Sequence, residues 1–425
     1  MKIRTAKRKY EDVMRLPAMK HHKPLRPNIF FRTLLLVLSA FDLRATHFQY
    51  EKKGMDKLRK DEPCLILMNH SSFIDLEIAS TVFYSRPFNI VCTSDGFVGL
   101  EWLMRLLGCI PTRKFATDSV LVKDMVYAVK KLNSSILMYP EASYSFDGTA
   151  TTLPESLGKC VKLLGVPVVM VRTYGAFGRQ PLYNNLRRRK VKVSADVEYL
   201  LSAEDIGQKT ADEINEILKE CFSFDNFRWQ QENQVRIAEK TRAESLNRVL
   251  YKCPHCMEEG KMLGKGIAIT CNNCGQQYEL TEYGALEAHG REGKFQHIPD
   301  WYQWERECVR EELISDTYRL DVSVNIGVMV NMKCIYMVGE GRLVHSKEGF
   351  HLTGCDGQID YVQKPTASYS LYSDYYWYSI GDVICIGNHE ILYYCFPKEG
   401  DVVAKTRLAT EELYKMTRKS SSKYR

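Results

Sequence analysis

The sequence predicts an α/β domain, a central mixed sheet with flanking helices, followed by a small cysteine-bearing ribbon and a mostly β, barrel-like C-terminal domain. Three observations lead there. Short apolar runs (Cys64–Met68, Ile136–Met138, Gly165–Val171) break into polar residues, as buried strands do in an open α/β sheet that builds its site at the strand ends. Two C-x-x-C pairs, Cys253/Cys256 and Cys271/Cys274, are separated by 14 intervening residues. From Thr317 onward apolar and polar residues alternate between turn residues, which reads as a run of short strands.

At 425 residues the chain is long enough for two to four domains, and 45% hydrophobic with 26% charged residues is a globular composition. The N-terminus is basic, but its apolar run starts only at Ile29 and no small-residue cleavage site follows, so no signal peptide is expected. With no export signal, the 14 cysteines are expected to be reduced thiols. Residues 1–60 hold 16 Lys and Arg against 5 Asp and Glu, and beside this basic arm runs the apolar stretch Ile29–Phe41. That stretch is short of the ~20 residues a bilayer span needs. A basic, aromatic-rich helix of that length suits an anionic membrane interface, so residues 1–60 are read as a membrane-associating segment and a membrane lipid surface as a partner.

His70 and Asp75 follow the first buried strand, with Asn69 directly before them. A carboxylate that holds one imidazole nitrogen protonated leaves the other free to take a proton from an attacking hydroxyl. Five residues of helix would set the two side chains about 140° apart. His70 is therefore expected on the strand-to-helix loop, Asp75 in the first helical turn, and Ser71 or Ser72 near the N-cap.

Three further blocks follow in order: Gly108–Lys114, Tyr139–Ser145 and Val166–Met170. With Asn69–Asp75 they resemble the four ordered blocks of the glycerolipid acyltransferase family, which contains the 1-acylglycerol-3-phosphate acyltransferases. The resemblance covers roughly residues 25–225, and the domain is placed at 61–225. It implies that His70 deprotonates the acceptor hydroxyl, which attacks an acyl thioester, and that Asp75 orients His70. It further implies that Arg113 or Lys114 and Glu141, with Asn69, bind and position the acceptor. An activated thioester needs positioning and one base, with no enzyme nucleophile. The chain departs from the pattern where Ala142 stands for the usual glycine, Tyr144 for the usual arginine, and Thr93–Asp95 where many members carry a lysine. Arg172, Arg179 and the run Arg187–Lys190 are alternative cations for an acceptor phosphate.

The paired C-x-x-C knuckles read as a zinc ribbon over residues 251–282. Cys253, Cys256, Cys271 and Cys274 would fill all four corners of a structural Zn2+ site, and His255 would be a bystander. No dense basic or stacking-aromatic surface surrounds the ribbon, so no nucleic-acid partner is expected. Residues 226–250, with no Gly or Pro, read as one polar helical linker, and residues 283–316 as a helical connector. Residues 317–416, strands closed by a helix over 404–416, resemble a pleckstrin-homology-like barrel in architecture only, and 417–425 read as a disordered tail.

The expected activity is transfer of a fatty acyl group from acyl-CoA or acyl-carrier protein to a lysolipid hydroxyl at the cytoplasmic membrane face. The first acceptor is 1-acyl-sn-glycerol-3-phosphate, giving phosphatidate in phospholipid biosynthesis. The alternatives are a different lysolipid, or an inactive membrane-associated scaffold that binds lipid.

Overall fold

The computed structural model describes residues 2–115, 119–388 and 390–422. The chain divides into two compact units. One comprises residues 21–181 and 186–230; the other comprises 1–20, 182–185 and 231–425.

The first unit is built on a seven-stranded mixed sheet. Its strands run, from edge to edge, Gln49–Lys53, Ser194–Leu201, Val168–Tyr174, Leu65–Met68, Ser135–Met138, Phe88–Thr93 and Cys109–Thr112. The last five are parallel to one another. Ser194–Leu201 opposes Val168–Tyr174 and pairs in parallel with Gln49–Lys53. The two central strands Leu65–Met68 and Ser135–Met138 are buried along their whole length because both faces are covered. On one face Leu65, Leu67, Ile136, Val168 and Met170 pack beneath helices Ser119–Leu132, Leu157–Leu164 and Ala211–Phe222, which contribute Met125, Val161 and Ile214. Capping boxes at Ser202/Asp205 and Thr210/Glu213 fix the starts of two successive helices. The unit therefore begins earlier than residue 61: Gln49–Lys53 is an edge strand of the sheet, and helix Ile29–Ala45 packs on helix Ile74–Val82.

The second unit holds a four-stranded ribbon and a larger antiparallel sheet. The ribbon order is Leu286–His289, Gln277–Leu280, Ala268–Cys271, Met262–Lys265, so it extends past residue 282. The larger sheet runs Ile359–Gln363, Gly349–Gly354, Ile335–Ser346, Leu320–Met329, Leu392–Pro397, Gly381–Gly387, Tyr372–Trp377. Its path is open, with unpaired ends among the described strands, so the region is β-rich but not the closed barrel expected. Strand Thr5–Lys7 adds in parallel to Ile335–Ser346, which ties the first residues of the chain to this unit. Residues 1–60 are thus divided between the two units.

Two helix expectations also change. The linker 226–250 is helical only over Asn226–Glu232 and in a single turn at Leu246–Arg248. Its apolar residues are too sparse to form a helical stripe. Its polar groups instead bond to the ribbon: Ile237, Ala243 and Ser245 donate backbone N–H groups to Glu282, Gly266 and Gly264. In the connector 283–316, only Ile298–Ile314 is helical, and Trp301 is its fully buried anchor, donating its indole N–H to the Lys252 carbonyl. The closing helix runs Val403–Ser422, so the expected tail is helical through 422, and 423–425 lie outside the described residues.

Candidate functional site

The site residues lie just beyond the C-terminal ends of parallel strands. Asn69 and His70 follow Leu65–Met68, Glu141 follows the neighbouring Ser135–Met138, and Arg113 and Lys114 follow Cys109–Thr112. Parallel strands bring their C-terminal ends to one edge, so His70 and Glu141, 71 positions apart, meet there.

His70 sits in the loop before helix Ile74–Val82, and Asp75 lies in that helix's first turn. Asp75 is fully buried. Its Oδ2 accepts from the backbone N–H of Ser71 at 2.7 Å and of Ser72 at 3.0 Å, and lies 3.3 Å from His70 Nδ1. The helix N-cap is Phe73, without a side-chain cap. The expected serine cap is replaced by Asp75 reaching back from inside the first turn, where a helix start favours an anion. Ser72 turns its hydroxyl the other way and donates to the Ala176 carbonyl at 3.2 Å.

A carboxylate only accepts, so Asp75 keeps the His70 proton on Nδ1 and leaves Nε2 as the basic nitrogen. Burial lowers the His70 pKa below its ordinary value; Asp75 pulls it upward by hydrogen bond and charge, and the Lys114 cation lowers it further. The imidazole is consequently neutral, and competent as a base, at neutral pH. Its side chain remains 23% exposed, which leaves a route for an incoming hydroxyl.

Two aromatic rings close on the imidazole: Tyr139, stacked at 4.1 Å, and Tyr144, tilted at 4.3 Å. Sequence reasoning noted Tyr144 only as a missing cation and did not place Tyr139 in the site. Both flank Glu141 in the third block, and that adjacency was the available signal. Ala142, between them, has φ of 56°, the left-handed conformation that glycine adopts without strain. The usual glycine of that block has a backbone reason, and this chain holds the same turn with an alanine.

Asn69 is buried and accepts at Oδ1 from Thr173 N–H (2.8 Å) and from the Thr173 hydroxyl (3.1 Å), which pins the end of its strand to the adjacent one. Glu141 is 3% exposed; its Oε2 accepts from His70 N–H and its Oε1 from Thr151 N–H, each at 2.8 Å. Arg113 and Lys114 are half-buried, and Lys114 is near enough to His70 to act on it electrostatically. Arg172 donates to the Cys221 carbonyl, and buried Arg179 pairs with Asp42, so both are engaged in structural contacts. Arg188 also reaches Asp42, at 3.4 Å.

In the second unit, the four predicted cysteines converge. Their sulfurs all lie within 4.8 Å of one another, with Cys253–Cys274 and Cys256–Cys271 each at 3.7 Å. A tetrahedron of sulfurs about 2.3 Å from a zinc ion has edges of about 3.8 Å, so this donor set fits such an ion. Backbone N–H groups of His255 and Cys256 face Cys253, those of Asn273 and Cys274 face Cys271, and Asn273 Nδ2 lies 3.6 Å from Cys256 Sγ. Such donors suit anionic sulfur. The four cysteines could hold a metal ion, and with every corner a thiolate no position remains for substrate.

Comparison with known proteins finds similarity within the first unit. A family profile described as Acyltransferase matches residues 49–173. The chloroplastic 1-acyl-sn-glycerol-3-phosphate acyltransferase BAT2 of Brassica napus is 26% identical over 133 residues, which is 30% of this chain and 38% of that protein. The chain thus spans well under half the length of this relative. The crystal structure of the 1-acyl-sn-glycerophosphate (LPA) acyltransferase PlsC from Thermotoga maritima aligns with a TM-score of 0.38 at 16% identity, over 45% of this chain and 76% of that one.

Proposed function

From residues 49–173, a domain of the glycerolipid acyltransferase family, we propose that this protein is an acyltransferase that moves a fatty acyl group from an acyl thioester to a lysolipid hydroxyl. The observation that carries the reading is the His70–Asp75 pair, with Nδ1 held and Nε2 left free at a partly exposed position. In the proposed step, His70 Nε2 takes the hydroxyl proton as the oxygen attacks the thioester carbonyl. The tetrahedral intermediate collapses, the C–S bond breaks, and the proton passes from the imidazolium to the departing thiolate. The donor is acyl-CoA or acyl-carrier protein. The leading acceptor is 1-acyl-sn-glycerol-3-phosphate, whose phosphate the Arg113 and Lys114 cations would receive.

The membrane is the proposed source of the acceptor, with the protein peripheral on its cytoplasmic face. No helix among the described residues is long and apolar enough to cross a membrane. Helix Ile29–Ala45 exposes Phe30, Val37, Leu38 and Phe41, and Trp102 stands exposed beside its Phe31. Binding to anionic vesicles that persists unchanged in Phe41→Asp would remove this helix from the contact. The four cysteines are proposed to hold a structural Zn2+, which would supply folding energy to the ribbon and no chemistry to the transfer.

The test is free-thiol release from acyl-CoA and, separately, from acyl-carrier protein, with a lysolipid panel that includes 1-acyl-sn-glycerol-3-phosphate. Wild type is expected to release thiol and His70→Ala to lose about 10²- to 10⁴-fold in rate with an unchanged fold. Turnover retained in His70→Ala would overturn the mechanism. No release with any pair would favour a lipid-binding scaffold.

A further inference from the structure

Three consecutive backbone amides in the loop that carries the base are each held by a buried carboxylate. His70 N–H goes to Glu141, and Ser71 and Ser72 N–H go to Asp75. The same loop is also bound from the opposite direction, because Ser145 donates its backbone N–H to the His70 carbonyl at 3.3 Å. Glu141 and Ser145 flank the left-handed turn at Ala142, so the third block closes on the His70 main chain from both its donor and its acceptor side. The other oxygen of Glu141 accepts from Thr151 N–H, ten residues further along its own segment.

We propose that Glu141 is a positioning residue for the base rather than a ligand for the acceptor. The inference rests on the acyltransferase reading of the site and deepens it. Both Glu141 oxygens accept short, charge-assisted bonds from the protein's own amides, and the residue is 3% exposed. An acceptor hydroxyl that took over one of these oxygens would strand a buried backbone N–H, which is costly. An acceptor phosphate would be repelled by a carboxylate. What Glu141 does instead is fix where the His70 main chain sits, and through it where Nε2 points. Asp75 fixes the ring's rotation and tautomer, so the two carboxylates divide the placement of one imidazole between main chain and side chain.

The test uses Glu141→Gln in the full chain. Glutamine keeps the size, but its amide N–H groups confront a backbone N–H that needs an acceptor. Two readouts are needed: steady-state kinetics with the acceptor varied, and amide hydrogen exchange of the peptide covering 69–74. Positioning predicts that kcat falls about 10- to 100-fold, that the acceptor KM moves less than about twofold, and that exchange of that peptide quickens about tenfold or more. A rise in acceptor KM with kcat and exchange unchanged would overturn the assignment and make Glu141 an acceptor ligand. Should Glu141→Gln fail to accumulate, Glu141→Asp, one methylene too short to hold both amides, is read by the same criteria. If wild type shows no His70-dependent thiol release, the acyltransferase reading fails. The exchange arm then still decides Glu141: unchanged exchange refutes the brace, and faster exchange supports it.

Discussion

The His70 loop and the four-cysteine cluster are both assembled from short motifs, yet they are held in opposite ways. The cluster is two tight turns, each bringing two sulfurs, with ligand spacing set locally by C-x-x-C. The His70 site draws on three parallel strands and is held by carboxylates bound to backbone amides. On the proposed reading, one site would be organised by the ion it could hold. The other is organised by the protein before any ligand arrives, as a base must be if it is to meet an incoming hydroxyl in the right place. The two should therefore respond to different perturbations.

The largest effect separates them by metal. Structural zinc sites are worth on the order of 10 kcal/mol of apparent binding energy. Chelation, or Cys253→Ser, is expected to remove about one zinc per chain and expose the amides of residues 253–289 to exchange, while the 69–74 peptide keeps its protection. Elemental analysis with hydrogen exchange checks this. A ribbon that stays protected with no metal bound would show that its fold does not depend on the ion.

A smaller effect separates them by pH. Burial first, and Lys114 next, keep the His70 pKa below the ordinary histidine value, opposed by Asp75. The neutral form is the base, so activity is expected to rise with pH through a midpoint below about 6.5 and then level off. The stability sign agrees. A histidine whose pKa is lowered in the folded state contributes stability that is present above the unfolded pKa and is lost as pH falls. Lys114→Gln removes a cation that disfavours the imidazolium, so the midpoint in a profile of kcat/KM against pH should move upward. A midpoint that falls, or that starts above the ordinary value, contradicts this account of the site.

The smallest effect tests how tightly the protein side is built. Ala142 occupies a left-handed conformation that costs a non-glycine residue about 1–2 kcal/mol, part of which glycine gives back as lost chain entropy. Ala142→Gly is expected to raise stability by about 0.5–1 kcal/mol in denaturant unfolding, with no change in metal content. A destabilised Ala142→Gly would mean that the Ala142 methyl has packing value that outweighs the strain.

Much of this organisation was legible in the residues. The order of the four blocks marked His70, Asp75, Arg113 and Lys114 as residues just beyond buried strands, because the ends of buried parallel strands are marked by abrupt changes from apolar to polar residues. The cysteine spacing located all four sulfurs, because a tetrahedral site leaves few workable spacings. The polar segment 226–250 was misread as one helix because composition without a hydrophobic stripe does not distinguish a helix from a strap. Its backbone partners lie in the ribbon, up to 45 residues further along the chain. The barrel was overread for a similar reason: alternation identifies strands, whereas closure depends on which edges meet.

What the sequence determined by itself was the inventory: a histidine with its carboxylate, two cationic residues after a neighbouring strand, four cysteines in two pairs, and two kinds of sheet. These follow from local spacing, which constrains neighbouring side chains directly. Only the tertiary structure decided how the inventory is used. It turned Glu141 onto the His70 amide, set Tyr139 and Tyr144 against the imidazole, placed Asn69 on Thr173, and paired residues 5–7 with a strand more than 300 residues away. Those outcomes depend on which buried donor finds which acceptor once the strands are in register. A hydrogen bond across 70 residues leaves no periodicity in the chain from which it could be read.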